Sequence, residues 1–265
     1  MNENKTFPQK VTLFCASVSL LAVSFSVFAE SAGKVVSTVG QVQAIDAAGN
    51  ARTLQRDDAV AVGDTLATEE GRAQVQFADG GLVFLQPRTR FKIDEYHYAG
   101  AEDGSERSFF SLLKGGFRAL TGTIGHANRQ SYRVTTTVAT IGIRGTAFNG
   151  RLCADDCPPG MANGLHTDTD EGTTFVFNKA GSVDVPAGKG AYVKDENTPP
   201  QLTEEDGDIS GSLGNNPLND PYYRAGEQPF DFTLPPSTSP PTEVLEPPSP
   251  PPPPPPPPTT GPTVP

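Results

Sequence analysis

The segment YRVTTTVATIGIRGTAFNGR, residues 132–151, decides the fold class of this chain. From residue 132 to residue 140, Tyr, Val, Thr, Val and Thr alternate with Arg, Thr, Thr and Ala. A period of two in β-branched residues is typical of a half-buried strand. Gly142 and Gly145 interrupt the alternation, which resumes at Thr146 and Phe148. The simplest interpretation is two strands joined by a bend or bulge that the glycines mark.

Short predicted strands separated by turns continue on both sides of this segment. They cover residues 35–39, 42–46, 51–54, 73–77, 82–85, 91–93, 173–177, 183–185 and 191–193. Asp79-Gly80 predicts a hairpin turn, Gly115-Gly116 predicts a bend between two apolar runs, and residues 153–172 predict an insertion loop. No window after residue 30 has a sustained period of 3.6, so the pattern favours an all-β sandwich or barrel with short strands and Gly-rich turns.

Two ordered sets of residues resemble the FecR domain, a periplasmic module known from iron-siderophore signalling. The upstream set is Gly63-Asp64, Thr68, Gly71-Arg72-Ala73, Asp79-Gly80 and Leu85, and the downstream set is Val134, Thr136, Ala139, Gly145, Thr146 and Phe148. The resemblance covers about residues 33–195 and implies a jelly-roll-like double sheet. These are turn and strand residues, so the resemblance implies a fold rather than an activity. We expect Gly63, Asp64, Asp79, Gly80, Gly145, Thr146 and Phe148 to be structural.

The N-terminal residues have the pattern of a secretory signal peptide. Lys5 and Lys10 precede an apolar run over residues 11–28, and Val27 and Ala29 satisfy the rule for cleavage between Ala29 and Glu30. Uncleaved, the run is just long enough to span a bilayer, but its four serines weaken an anchor. We therefore expect a periplasmic or secreted protein with no stable membrane insertion after cleavage. Lipidation at Cys15 is not expected, because Phe14 precedes it where a lipoprotein site has a small residue.

Export from the cytoplasm predicts the oxidation state of the two cysteines that follow the cleavage site. Cys153 and Cys157 are the only cysteines after the cleavage site, and an oxidising compartment favours a disulfide between them over two free thiols. A zinc site needs further ligands, for which His166 is the only nearby candidate, so metal binding is not expected.

Composition divides the chain into three parts: residues 1–29, a signal peptide; 30–195, a FecR-like β domain; and 196–265, an acidic, proline-rich tail. The tail has ten acidic residues against Arg224 alone and 22 of the 27 prolines, so we expect disorder, with polyproline II over residues 250–258. Either docking on the domain or a role as binding handles would explain its few apolar residues: Leu213, Leu218, Tyr222, Tyr223, Phe230 and Phe232. The β domain carries 20 acidic and 17 basic residues, and neither part has the basic stripe that nucleic acids or anionic membranes require.

Catalytic motifs are represented in the chain only by isolated fragments. Ser111-x-x-Lys114 lacks the helix that such a motif needs, and residues 168–172 lack the closing glutamate of a calcium loop. His97, His126 and His166 have no metal-ligand spacing. Arg144 is expected to pair with a carboxylate such as Asp64. We therefore predict that the protein is not an enzyme and uses no cofactor.

The leading hypothesis is a non-enzymatic FecR-like domain that binds an unknown envelope protein or ligand in cell-surface sensing. The alternatives are a structural or surface-display protein with the tail as a spacer and, third, a carbohydrate-active or other hydrolase. Only about ten residues precede the apolar run, and the proline-rich tail stands where the family has a further C-terminal module. Direct regulation of a sigma factor is therefore not expected.

Overall fold

The computed structural model describes residues 31–100, 104–128, 130–157 and 159–204. These residues form fifteen strands and one helical turn. The first eight strands are β1 Ser31–Val39, β2 Val42–Ile45, β3 Ala51–Thr53, β4 Ala59–Ala61, β5 Thr65–Thr68, β6 Arg72–Phe77, β7 Leu82–Leu85 and β8 Thr89–His97. The remaining elements are β9 Arg107–Leu120, α1 Thr123–Ala127, β10 Tyr132–Thr135, β11 Thr140–Cys153, β12 Gly164–Phe177, β13 Ser182–Pro186, β14 Lys189–Val193 and β15 Gln201–Glu204.

Three strands of 14 residues, β9, β11 and β12, connect the two layers of the fold. The first half of β9 pairs with β8 and β10, whereas its second half pairs with β7 and β11. Likewise, β12 pairs with β14 in its first half and with β13 in its second. Each long strand contains a glycine with positive φ between its halves: Gly115 (80°), Gly145 (57°) and Gly172 (75°). Glycine adopts this conformation without steric cost, so each strand can bend and change layers.

The layers follow from these pairings. Layer one contains β3, β2, β5, β8, the first halves of β9 and β11, β10, the second half of β12, and β13. Layer two contains β4, β1, β6, β7, the second halves of β9 and β11, the first half of β12, β14 and β15. The prediction of an all-β, jelly-roll-like sandwich is confirmed, with both layers in one continuous hydrogen-bonded sheet.

Aromatic side chains from both layers meet in the core. Phe77 of layer two lies 5.0 Å from Phe110 of layer one, measured between ring centroids, and Phe91 lies 5.4 Å from Phe117. These four rings are buried, as is Phe148, which packs edge-on against Phe117 at 5.5 Å. Tilted and edge-on pairs of this kind add to the stability that apolar burial provides. The rings therefore hold the two layers together.

The interpretation of residues 132–140 as one strand is wrong. β10 ends at Thr135 and pairs antiparallel with β11, whose first residue, Thr140, lies opposite it. The Thr136 hydroxyl donates to the Ala139 carbonyl oxygen at 2.8 Å and accepts the Val138 N–H at 3.2 Å, which closes a turn. A β-branched threonine that caps a turn looks the same in sequence as one in a strand. A bulge at Gly145 is confirmed, since the β11–β12 register shifts between Arg144 and Ala147.

Four other boundaries differ from expectation. β9 continues through Gly115-Gly116, and the predicted insertion loop shrinks because β12 already begins at Gly164. The start of β12 has no alternation of apolar and polar residues, because the inward-facing Thr167 and Thr169 are polar. Both are buried, and their hydroxyls form hydrogen bonds with the Asn149 carbonyl oxygen and the Thr174 hydroxyl, respectively. The helical turn α1 was not predicted, and the sheet extends past residue 195 to β15. Within the described residues, no helix is long and apolar enough to cross a membrane.

Candidate functional site

The motif residue Asp79 anchors α1 to the β6–β7 turn. Its Oδ1 accepts the Gly81 N–H at 3.1 Å, and its Oδ2 accepts the Ile124 N–H at 3.3 Å. The Asp79 carbonyl oxygen accepts the Thr123 N–H at 3.0 Å. Asp79 is 7% exposed, and burial raises the pKa of its carboxyl, although these hydrogen bonds oppose the rise. The Asp79 carboxylate therefore links the backbone of the β6–β7 turn to the backbone of α1.

The downstream motif residues meet the same helical turn from the other side. The Thr121 hydroxyl donates to the Thr146 carbonyl oxygen at 3.0 Å and accepts the Thr146 N–H at 2.9 Å. A Cβ built on Gly145 would lie 2.6 Å from Nδ1 of His126 in α1. The Asp79-Gly80 turn and the Gly145-Thr146 bulge, far apart in sequence, thus hold one helical turn between them. This arrangement supports a structural role for both pairs.

Asp64 has a different partner from the one predicted. Arg52 forms a two-pronged contact with it, with guanidinium nitrogens 3.0 and 2.6 Å from Oδ1 and Oδ2, and the Ala61 N–H donates to Oδ2 at 2.9 Å. The expected pairing of Arg144 with Asp64 is wrong: Arg144 is exposed in β11, in the other part of layer one. Gly63, beside Asp64, donates its N–H to the Ile93 carbonyl oxygen at 2.8 Å, which fixes the β4–β5 turn against β8.

Cys153 and Cys157 lie at disulfide geometry, with Cα atoms 5.4 Å apart. Cys153 is buried at the end of β11, and Cys157 lies in the loop to β12. The pair is therefore compatible with the predicted bond, which stays a prediction for the exported protein. Ala29 and Glu30, the predicted cleavage site, lie outside the described residues.

The residues that the sequence offered as candidate catalytic groups do not come together in one site. The Ser111 hydroxyl donates to the Asp94 carboxylate at 2.6 Å, whereas Lys114 pairs with Asp156 at 3.1 Å. His97, His126 and His166 lie in β8, α1 and β12. Among the residues that the structure describes, no three His, Cys, Asp or Glu side chains are placed to hold a metal ion.

The outer face of layer one carries a row of side chains that sequence reasoning missed. Neighbouring strands pair Phe109 with Arg133, Arg133 with Gly142, and Gly142 with Phe175. Directly opposed residues share a face of the sheet, so this register aligns them across β9, β10, β11 and β12. Their chain neighbours Phe110, Val134, Ile141 and Val176 point into the core, which places the row on the outside.

Aromatic rings and one arginine fill this row. The Arg133 guanidinium lies 3.7 Å from the centroid of the Phe109 ring, a cation–π contact. A Cβ on Gly142 would overlap the Phe175 ring, so only glycine leaves room for that ring on β11. Phe175 stacks on Phe177 with centroids 5.7 Å apart and planes 13° from parallel. We call Phe109, Arg133, Phe175 and Phe177 the aromatic row.

The aromatic row is accessible at two of its four residues. Phe177 is 38% exposed and Arg133 is exposed, whereas Phe175 is half-buried and Phe109 is buried. Leu113 on β9 adds a further exposed apolar side chain on the same layer, at 47%. The alternation of residues 173–177 could have predicted that the two phenylalanines lie together, since Phe175 and Phe177 share one face of the strand and Thr174 and Val176 share the other. Hydrophobicity alone assigns the phenylalanines to the core, but the structure buries Thr174 and Val176 instead.

Comparison with known proteins finds a family model that matches the central segment. The model of the family described as FecR protein matches residues 64–158, a shorter range than the resemblance in sequence suggested. A search of curated proteins finds no match. Two solved structures of a candidate anti-sigma factor from Parabacteroides distasonis ATCC 8503, at 1.65 and 2.50 Å, are similar at 14% and 15% identity with TM-scores of 0.41 and 0.42. Each alignment covers 56% of this chain and 61% or 62% of the other, so this chain spans less than two thirds of their length.

Proposed function

From the match of residues 64–158 to the model of the FecR protein family, we propose that the chain is an exported, non-enzymatic domain that binds an envelope protein through the aromatic row. The observation that carries the proposal is the alignment of Phe109, Arg133 and Phe175 across four strands on the outer face of layer one. The proposed role is regulatory, in sensing at the cell surface.

The chemistry of the row supports a protein partner. Aromatic residues and arginine are the side chains most enriched at the centres of protein interfaces, where a few of them account for most of the binding energy. Arg133 lies over Phe109, and Phe175 is held against Phe177, so binding costs these side chains little further conformational entropy. The row also stands on paired strands rather than on a loop, which keeps its spacing constant.

The match to the FecR protein family is consistent with a regulatory role. The contacts of the motif residues Asp79, Gly145 and Thr146 are with neighbouring parts of the fold. Recognition is therefore proposed for side chains outside the motif, and the row contributes the exposed Arg133 and Phe177.

Capture from an envelope fraction tests the proposal. The full-length exported protein is used as bait, beside an Arg133→Ala, Phe177→Ser double variant and an Arg90→Ala control that removes an exposed arginine of β8 outside the row. We expect the double variant to lose a defined protein partner with at least about a tenfold drop in affinity, the loss of roughly 1.4 kcal/mol that hot-spot residues exceed. Arg90→Ala should retain the partner. Equal capture by all three proteins, or association only with bulk surface polymer, would overturn the proposal and favour surface display.

A further inference from the structure

Four basic side chains from separate parts of the chain come together where β9 bends at Gly115. They are Arg88 in the β7–β8 turn, Arg90 in β8, Lys114 in β9 and Arg151 in β11. The register places Arg90 opposite Lys114 and places Arg151 opposite Gly116. The β7–β8 turn approaches the same bend, since a Cβ built on Gly115 would lie 2.7 Å from the Arg88 carbonyl oxygen. We call these four residues, which form no basic stripe in the sequence, the basic corner.

Arg151 is half-buried and lacks a carboxylate partner among the described residues. One of its terminal nitrogens donates to the neutral side-chain oxygen of Gln86, and its buried Nε has no hydrogen-bond partner there. Burial lowers the pKa of Arg151; the negative charge of Asp156 opposes this effect, whereas the positive charge of Arg88 adds to it. The guanidinium of Arg151 therefore lies close to a second cation, and no direct contact with a carboxylate neutralises it.

Asp156 is the one carboxylate that contacts the basic corner within the described ranges. Its Oδ2 lies 3.1 Å from Nζ of Lys114. Arg88 and Arg90 form no ion pair with any described residue, although the Glu69 carbonyl oxygen accepts the Arg88 N–H. The corner therefore has four positive charges and one negative charge, an excess of three. Like charges directly opposite each other in a sheet, as in Arg90 and Lys114, are destabilising, so an added anion would stabilise this part of the fold.

The excess of positive charge is accessible to solvent. Arg88 and Arg90 are exposed, and 48% of the Lys114 side chain is exposed. The Asp156 side chain is 25% exposed and belongs to the loop between β11 and β12. An anion in solvent can therefore reach the basic corner without separating any strands, and it would compete with Asp156 for Lys114.

We propose that the basic corner binds a phosphate group carried by a ligand outside this chain. Arginine guanidinium groups bind phosphate oxygens through paired hydrogen bonds, and lysine adds a point charge. An excess of three positive charges suits the roughly two negative charges of a phosphate monoester better than the single charge of a carboxylate. Such a group belongs either to a lipid head group or to a soluble phosphorylated compound. The proposal is independent of the aromatic row, with which the basic corner shares no residue.

Titration with inorganic phosphate tests the proposal on the full-length exported protein. Phosphorus NMR follows binding at constant ionic strength, so that general screening of charge is the same at every point. A double variant, Arg90→Ala with Lys114→Ala, removes two exposed cations of the basic corner. Asp156→Asn removes the competing carboxylate, and Arg56→Ala removes an exposed arginine of the β3–β4 turn as the control. Thermal unfolding confirms that each variant is folded before its binding is compared.

We expect the native protein to bind phosphate and the double variant to bind it at least about tenfold more weakly, the effect of losing one hydrogen bond to a charged group. Arg56→Ala should bind like the native protein. Asp156→Asn should bind several-fold more tightly, because the phosphate no longer competes with a carboxylate for Lys114. This gain in affinity is a change that misfolding cannot produce.

Co-sedimentation with vesicles identifies the source of the phosphate group. Vesicles of phosphatidylcholine that contain phosphatidic acid, whose head group is a phosphate monoester, are compared with vesicles of phosphatidylcholine alone. Retention on the phosphatidic acid vesicles assigns the phosphate to a lipid head group, whereas binding of inorganic phosphate without such retention assigns it to a soluble compound.

The same variants decide the outcome in whichever measurement detects binding. The double variant must weaken that binding, and Asp156→Asn must strengthen it. Failure of either change would overturn the proposal. An equal loss in Arg56→Ala would also overturn it, because that result indicates general electrostatic attraction, and so would an absence of binding in both measurements.

Discussion

The Tyr96 hydroxyl donates a 3.1 Å hydrogen bond to Oδ1 of Asp79 and accepts the Asp79 N–H at 2.8 Å. This reciprocal pair ties β8 of layer one to the β6–β7 turn of layer two. Burial raises the pKa of Asp79, and burial together with the negative charge of Asp79 raises the pKa of Tyr96. The two groups therefore stay in contact with the tyrosine protonated, while the carboxyl bears an electrostatic cost whenever it is ionised.

That cost predicts a pH dependence of stability. The folded-state pKa of Asp79 lies above its ordinary value of 3.8, so the folded protein binds this proton more tightly than the unfolded chain. The contribution of Asp79 to the free energy of unfolding is then greatest below the ordinary pKa and falls as pH rises through the folded pKa. Thermal unfolding of the native protein and Asp79→Asn across pH 3.5–7 checks this. The native protein should lose melting temperature relative to the variant as pH rises; a constant difference would contradict the shift.

Much of the scaffold was predictable because its signals are local. The alternation around Val75 and the Asp79-Gly80 turn identified the β6–β7 hairpin, and the resemblance to the FecR domain agrees with the family model that matches residues 64–158. Gly145 was identified as a bulge because the alternation changes phase there, and the structure shows the register shift and positive φ that cause this.

The features that could not be predicted from the sequence depend on contacts between residues that are distant in the chain. The bend at Gly115 looks like a strand end in sequence, although the hydrogen-bond ladder continues through it. The partner of Asp64 is Arg52 of β3 rather than Arg144, a pairing that depends on the placement of β3 beside the β4–β5 turn. The aromatic row was hidden because Phe175 looks like a core residue until the register places it opposite Gly142.

The Cys153–Cys157 pair should be oxidised in exported protein and should contribute modestly to stability. A loop of this size contributes at most about 2 kcal/mol to the free energy of unfolding under the chain-entropy relation. Alkylation without reductant followed by mass spectrometry should leave both cysteines unmodified. The double change Cys153→Ser, Cys157→Ser should lower stability by no more than about that amount. Two alkylated thiols would refute the bond.

Residues 195–200 should matter more to the domain than β15 does. Nδ2 of Asn178 donates to the carbonyl oxygens of Asp195 at 3.1 Å and Thr198 at 2.7 Å, whereas all four residues of β15 are exposed. A chain ending at Lys194 loses both bonds, at about 1 kcal/mol each, and should melt several degrees below one ending at Pro200. Chains ending at Pro200 and Glu204 should differ little. The reverse order would show that β15 stabilises the edge of layer two.

Replacing Gly145 tests how much the bend in β11, where this strand passes from one layer to the other, contributes to stability. Its φ is +57°, and an added Cβ would lie 2.6 Å from Nδ1 of His126. Gly145→Val should therefore combine backbone strain with displacement of α1. Gly188 provides the matched control, because its φ is +75° but nothing lies within 4 Å of an added Cβ. Gly188→Val should cost about 1–2 kcal/mol, the backbone term alone.

The difference between these two variants isolates the contact with α1. We expect Gly145→Val to lower the melting temperature more than Gly188→Val does, and His126→Ala to recover part of the loss only in the Gly145→Val background. Recovery follows because the smaller side chain leaves room for the valine while Asp79 and Thr121 still hold the helical turn. If the two glycine variants lose equal stability, the close approach of α1 to β11 contributes nothing. The stability of the fold would then depend on the bend at Gly145 and not on the contacts that the Asp79 turn and the Thr146 bulge make with α1 and the residues before it.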